Sequence, residues 1–244
     1  MKINEIYKGD CLELMPKFVD NKSVDMIFCD LPYGTTNCRW DSVIDLPKLW
    51  SEYERIIKDN GVILLFAQTP FDKVLGASNL KLLKYEWIWE KTQATGHLNA
   101  KKMPMKAHEN ILVFYKKLPT YNPQKTNGHK PINSYTKYIK TQNNTEIYGE
   151  MKREISGGGE TDRYPRSVIT FASDKQTSCL HPTQKPLSLI EYMIKTYTNE
   201  GDLILDNCAG SGTTGLGAKN IGRNFIMMEQ DPDIYEIACK RVLT

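Results

Sequence analysis

The tetrapeptide Asp30-Leu31-Pro32-Tyr33 follows directly on Val24–Cys29, a short apolar run suited to a strand buried on both faces. In an open α/β sheet the loop at a strand's carboxyl end is where ligands bind. Pro32 fixes the local geometry and restricts Leu31 to an extended conformation. The Asp30 carboxylate and the Leu31 carbonyl are then two acceptors facing one way. An exocyclic amino group carries two N–H donors that match them, and Tyr33 adds a flat face. A plain turn without chemistry fits the same four residues, so the tetrapeptide gains meaning only beside a second motif.

That second motif is the run Leu203-Ile204-Leu205-Asp206-Asn207-Cys208-Ala209-Gly210-Ser211-Gly212-Thr213-Thr214-Gly215, which reads as strand, glycine turn and helix. Gly210, Gly212 and Gly215 satisfy G-x-G-x-x-G, and Glu229 ends the next strand, so a dinucleotide-binding oxidoreductase is one reading. Asp206 argues against it. A carboxylate before the glycines repels a pyrophosphate but can hold the ammonium of a methionine moiety, while Glu229 can accept from both ribose hydroxyls. The unit also begins at residue 203 of 244, so most of its sheet must come from the N-terminal half. The order of elements is circularly permuted relative to an ordinary nucleotide-binding domain.

The elements that position these motifs alternate strand and helix. Residues 45–59 show a helical period closed by Asn60-Gly61, residues 62–67 form a second buried strand, and residues 85–89 and 111–115 are further strand candidates. Periodicity fades over residues 119–180, where Asn, Gln, Thr, Pro and Lys dominate and Gly157-Gly158-Gly159 marks a flexible point. Regular signals return as helix 186–197, strand 203–205, helix 213–221, strand 224–228 and helix 232–242. The expectation is one α/β core of 1–118 and 181–244 with an irregular insert of 119–180.

The net charge of +3 conceals an asymmetry: twelve lysines face three glutamates between Lys81 and Lys140. Interleaved with Trp87, Trp89, Tyr115, Tyr121, Tyr135 and Tyr138, this stretch suits a polyanion, although a solvated lysine-rich face has the same composition. Six cysteines show neither C-x-x-C pairing nor zinc-ligand spacing, so reduced thiols and no metal are expected. The acidic residues among the first twenty do not suit a signal peptide, and no apolar run approaches the ~20 residues of a membrane span. A cytoplasmic protein is expected.

Taken together, the two motifs resemble those of the permuted β-class amino-methyltransferases, which make N6-methyladenine or N4-methylcytosine in DNA. The order matches too: catalytic tetrapeptide first, target-recognition region next, cofactor motifs last. The resemblance covers roughly residues 4–117 and 181–242. It implies a Rossmann-like S-adenosylmethionine-dependent methyltransferase fold, with Asp30, Leu31, Pro32 and Tyr33 as the catalytic motif. It also implies a cofactor site of Asp10, Cys11, Asp206, Cys208, Gly210, Gly212, Thr213 and Glu229, completed by Thr183 and Lys185 of His181-Pro182-Thr183-Gln184-Lys185-Pro186. Trp89-Glu90-Lys91 and His108-Glu109-Asn110-Ile111 resemble core segments on the target-base side, and His108 and Glu109 are read as structural.

The sequence departs from the commoner family pattern at Leu31, where proline is frequent, and at Asn207-Cys208, where Pro-Phe is frequent. The target is expected to be adenine, because Asp30 stands where N4-cytosine enzymes more typically carry serine; N4-cytosine stays open. No cysteine follows a proline, which sets aside the C5-cytosine class and its cysteine nucleophile. A DNA-binding protein with a relic cofactor fold is the rival from outside enzymology. The expected partner is double-stranded DNA, contacted by Lys101, Lys102, Lys125, Lys130, Arg153 and Arg163. The resemblance leaves room for a homodimer, for a cognate restriction endonuclease, and for a bacterial or phage origin.

Overall fold

The computed structural model describes residues 1–34, 43–132, 135–141, 152–173 and 184–244, and only the backbone of 135–141 and 152–157. Cys38, Cys179 and the His181–Thr183 part of the predicted cofactor segment lie outside the described residues. The chain forms two units, Met1–Asn122 with Arg166–Thr244, and Pro123–Pro165.

The larger unit is built on an eight-stranded sheet. Its strands are β1 (Glu5–Lys8), β2 (Val24–Cys29), β3 (Ile57–Ala67), β4 (Leu83–Thr95), β5 (Lys106–Phe114), β8 (Val168–Phe171), β9 (Leu203–Asp206) and β10 (Asn224–Glu229). The spatial order is β1-β10-β9-β2-β3-β5-β4-β8. All neighbours are parallel except β5, which runs antiparallel to both β3 and β4. The C-terminal strands β9 and β10 thus lie between β1 and β2, and the glycine turn after β9 sits next to the tetrapeptide after β2.

Alternation along the strands divides the core in two. Ile27, Cys29, Ile63, Leu65, Leu205 and Met228 point to the side covered by α1 (Cys11–Phe18), α2 (Leu46–Ile56) and α3 (Phe71–Ser78). Met26, Phe28, Leu64, Phe66, Ile204 and Met227 point to the side covered by α4 (Leu187–Tyr197), α5 (Thr213–Asn220) and α6 (Pro232–Val242). Successive strand side chains alternate faces, so a strand covered on both sides reads as an unbroken apolar run.

Three details differ from the sequence expectations. The helix expected over 45–59 ends at Ile56, and β3 begins at once: Ile57 pairs with Val24 before the register shifts. Gly61 serves that irregularity rather than a helix cap, since a Cβ there would lie 2.9 Å from the Asp25 carbonyl oxygen. The expected irregular stretch also contains β8, which joins the core sheet beside β4. Finally, Trp87 and Trp89 are buried, 4% and 3% exposed, rather than part of a solvated basic face, and Trp89 lines the cavity described below. The Trp87 indole donates to Tyr197 Oη at 2.7 Å, and Trp89 donates to the Phe171 carbonyl at 3.0 Å.

In the smaller unit β6 (Tyr135–Thr141) pairs antiparallel with β7 (Lys152–Gly157), and a further bridge joins Thr126 to Arg163. No helix among the described residues is long and apolar enough to cross a membrane.

Candidate active site

Because β1, β10, β9, β2, β3, β4 and β8 all run the same way, their carboxyl ends share one edge of the sheet. The reversed strand β5 delivers its amino-terminal end to that edge. Residues from each of these ends line one cavity of about 850 Å³ in the larger unit. The tetrapeptide and the glycine turn both open into it, as does Lys91 at the far side of the sheet.

At the tetrapeptide a network of charges is drawn together. Lys185 Nζ lies 2.8 Å from Asp30 Oδ2 and 2.8 Å from Glu109 Oε2, and Lys91 Nζ lies 2.5 Å from Glu109 Oε1. The Tyr33 hydroxyl donates to Asp30 Oδ1 at 2.7 Å. Two carboxylates and two ammonium groups balance to zero, which is how charges this buried are tolerated. Burial raises the Asp30 carboxyl above the usual range against the pull of Lys185. Burial also works on Glu109, but Lys185 and Lys91 outweigh it and hold that carboxyl at about 2. Burial acts to lower the Lys185 ammonium, and Asp30 and Glu109 outweigh it, so this cation stays protonated. Phe66 lies under the Lys185 ammonium at 4.8 Å from the ring centre. Phe71 backs the Tyr33 ring at 5.2 Å, and the ring also lines the cavity.

The glycine-turn half is held by backbone donors. Asp206 accepts from the Cys208 N–H at 3.1 Å, and burial pushes its carboxyl up to about 6. Glu229 accepts from the Gly210 N–H at 2.8 Å and from the Asp231 N–H at 2.9 Å, which pins the carboxylate across the turn. Gly212 precedes α5 at φ +80°, and a Cβ there would strike Val242 Cγ2 at 2.8 Å. Among the described residues, no atom beyond its own chain neighbours lies within 4 Å of where a Gly210 Cβ would stand. Below the turn, Tyr53 donates to Asn207 Oδ1 at 2.6 Å, and Asn207 Nδ2 faces the sulfurs of Cys11 and Cys208 at 3.4 and 3.5 Å. The small Cys208 side chain is thus met by another thiol and an amide.

Several predicted site residues have additional or different partners. Asp10 caps α1 through the Leu12 N–H at 2.8 Å and also lines the cavity. Thr213 accepts from Arg241 at 2.9 Å, which ties the start of α5 to α6. Lys185, expected among cofactor contacts, is committed to Asp30 and Glu109. Glu109, read as structural from sequence, stands inside the charge network, while His108 is exposed. Gln184, inside the Thr183–Lys185 segment expected at the cofactor site, is buried and lines the cavity, and among the described residues neither polar atom of its amide has a partner.

Lys101, Lys102 and Lys130 are exposed. Lys125 pairs with Asp162 at 2.7 Å, and Arg163 donates to the carbonyls of Lys130, Glu160 and Asp162, a loop staple rather than a free cation. The Arg153 side chain lies outside the described residues.

A doubly wound sheet, an acidic tetrapeptide at its edge and a glycine turn beside it define a nucleotide-type group-transfer site. Residues 24–240 match the N6/N4 DNA methylases, and the chain belongs to that family. It is 31% identical to the type II methyltransferase M1.MboII of Moraxella bovis, over 93% of this chain and 91% of the relative. It is 28% identical to the type II methyltransferase M.HinfI of Haemophilus influenzae, over 98% of this chain and 68% of the relative. The fold is shared with the crystal structure of an M1.HpyAVI–SAM complex, with TM-score 0.67 and 24% identity over 98% of this chain and 99% of that one. It is also shared with PvuII DNA methyltransferase (cytosine-N4-specific), with TM-score 0.69 and 16% identity over 98% and 86%.

The charge network makes a stability prediction. Glu109→Ala leaves Lys185 and Lys91 buried without their shared carboxylate, and breaking a buried pair costs about 3–5 kcal/mol. Urea denaturation should show a loss of that order, with a smaller loss for Glu109→Gln. An Ala variant within about 1 kcal/mol of the parent, the range of a surface pair, would mean the network adds no more than such a pair.

Proposed function

We propose that this chain is a site-specific DNA methyltransferase that moves a methyl group from S-adenosylmethionine to the exocyclic N6 amino group of adenine in double-stranded DNA. The observation that carries the reading is that the Asp30 tetrapeptide and the Asp206–Glu229 turn line a single cavity. The residues fit the cofactor's chemistry. Asp206 is a buried carboxylate suited to an ammonium group, Glu229 keeps acceptor capacity for ribose hydroxyls, and no other described residue fills the space where a Gly210 Cβ would stand. Asp10 and Cys11 would border the adenine end, with Cys208, Gly212 and Thr213 shaping the turn; Thr183 is assigned to the same site from the sequence alone.

When bound, S-adenosylmethionine supplies an electrophilic methyl group. The chain's own residues do the rest. Asp30 and the Leu31 carbonyl accept the amino hydrogens of a base turned out of the duplex, and Pro32 keeps the two acceptors aligned. A carboxylate has about four acceptor positions, so Asp30 can engage the base without giving up Tyr33 or Lys185. Tyr33, backed by Phe71, stacks on the base. After transfer the amino nitrogen must lose a proton, and Asp30, whose carboxyl burial raises, accepts it. Lys185 keeps that carboxylate ionised and fixed, so the gain comes from positioning and electrostatics.

Adenine rather than cytosine rests on Asp30 in the tetrapeptide. The backbone does not choose, since the cytosine-N4-specific PvuII DNA methyltransferase shares the fold. Sequence reading is assigned to the region 119–180, with Lys125, Lys130, Arg153 and Arg163 among its basic residues and Lys101 and Lys102 as phosphate contacts from the core. A homodimer and a cognate restriction endonuclease are compatible with the type II relatives.

Two outcomes follow. Asp30→Ala should lower methyl incorporation from labelled S-adenosylmethionine into DNA by about 10²–10³-fold, as when a transition-state hydrogen-bonding group is lost. Calorimetric affinity for the cofactor should barely change, and turnover within about tenfold of the parent would remove Asp30 from the chemistry. Cofactor affinity should also fall as pH drops through about 6, because protonating Asp206 discharges the partner of the cofactor's ammonium. The fall should approach about tenfold per pH unit below that point. It should be absent in Asp206→Asn, and a parent affinity flat from pH 7.5 to 5 would refute this contact.

A further inference from the structure

The β4–β5 hairpin walls the cavity with Lys91, Thr92, Thr95 and Lys106, and Thr95 pairs with Lys106 where the strands part. Beyond that pair the chain runs Gly96-His97-Leu98-Asn99-Ala100-Lys101-Lys102-Met103-Pro104-Met105. From Lys91 to the tip at this edge is about 13 Å or more at the rise of a strand. The tip is an ordered turn. Gly96 takes φ +89°, the Asn99 N–H donates to the Gly96 carbonyl at 2.9 Å, and the Lys102 and Met103 N–H groups donate to the Asn99 carbonyl at 2.8 and 3.0 Å.

What this turn presents is unusual for a solvated loop. Leu98 is 89% exposed, Met103 54% and Met105 40%, all within eight residues. Around them stand exposed His97, Lys101 and Lys102, and no acidic residue lies between Glu90 and Glu109. One exposed leucine on a soluble protein is ordinary, but an apolar cluster set among cations at the rim of a ligand cavity marks a contact surface. The cations fit phosphates, and an unbranched-to-branched apolar tip fits the space between base pairs, where wedging side chains separate stacked steps. A base drawn into the cavity leaves such a space behind in the duplex.

We infer that residues 96–105 are a DNA wedge: Leu98 fills the gap left by the extruded base, and Lys101 and Lys102 grip the flanking phosphates. Met103 and Met105 widen the apolar face against the neighbouring bases. This rests on the function proposed above and adds a residue that stabilises the flipped state without touching cofactor or reacting atoms. Leu98 is therefore a positioning residue. Its contribution depends on the target base being paired, because an unpaired base costs less to remove.

The test uses two synthetic duplexes bearing the site that sequencing of methylated DNA identifies. One is fully paired, and the other carries an abasic analogue opposite the target base. Leu98→Ala should weaken binding to the paired duplex by tenfold or more and to the abasic duplex by less than twofold, with Leu98→Met restoring the paired-duplex affinity. A double Lys101→Gln, Lys102→Gln variant should weaken both duplexes alike and flatten the salt dependence. Equal losses on both duplexes for Leu98→Ala, or no loss on either, would overturn the wedge. So would a changed sedimentation coefficient with unchanged DNA binding, which would make the tip a contact between copies of the chain. Methyl incorporation by the parent protein into the same paired duplex reads the proposed function separately, so a parent that methylates while Leu98→Ala binds normally defeats the wedge alone.

Discussion

Lys185 carries its ammonium into the cavity between Asp30 and Glu109, and the surrounding architecture answers to that charge. One cation between two carboxylates leaves a net negative charge in a desolvated place, and Lys91 on Glu109 cancels it. The four groups come from the end of β2, the end of β4, the start of β5 and the segment before α4. Only a sheet in which β5 reverses direction can bring Glu109 to the same edge as Asp30 and Lys91. The antiparallel strand is therefore a requirement of the site as much as a feature of the fold. Tyr33, Phe71 and Phe66 then wall the network with aromatic surface, which strengthens every electrostatic contact inside it.

The second half of the cavity solves a different problem. A glycine turn must approach a ligand closely while the helix after it packs tightly, and Gly212 is pressed by Val242 where any side chain would collide. Asp206 and Glu229 are buried carboxylates that accept from backbone N–H groups, where Glu109 is held by lysines. The carboxylates at the two ends of the cavity thus have different partners, lysines at Asp30 and Glu109 and peptide dipoles at Asp206 and Glu229. Gln184, which also lines the cavity, is buried, and among the described residues neither of its amide atoms has a hydrogen-bond partner.

Much of this was legible in the residues. Buried runs such as 24–29 and 203–205 announce strands, and the two motifs at their ends announce chemistry, because a strand's carboxyl end in such a sheet is where side chains can meet a ligand. What escaped was everything set by contacts distant in sequence. Glu109 looked structural because nothing in His108-Glu109-Asn110 reveals that Lys91 and Lys185 converge on it. Trp87 and Trp89, in a lysine-rich stretch, looked like an exposed stacking surface until the sheet buried both, Trp87 against α4 and Trp89 against Phe171. Gly61 looked like a helix cap because a close approach to the Asp25 carbonyl leaves no local trace. Strand β8 is four residues long with alternating exposure, too short a signal to stand out from its polar surroundings.

As proposed, the Asp30 network directs a methyl group onto an adenine amino nitrogen. The most direct measurement is mass spectrometry of nucleosides digested from unmethylated DNA after incubation with the purified protein and S-adenosylmethionine carrying a deuterated methyl group. Label is expected in N6-methyldeoxyadenosine, present with the parent protein and lost with Asp30→Ala. Label appearing in N4-methyldeoxycytidine instead, or label that survives the loss of the Asp30 carboxylate, would contradict the proposal.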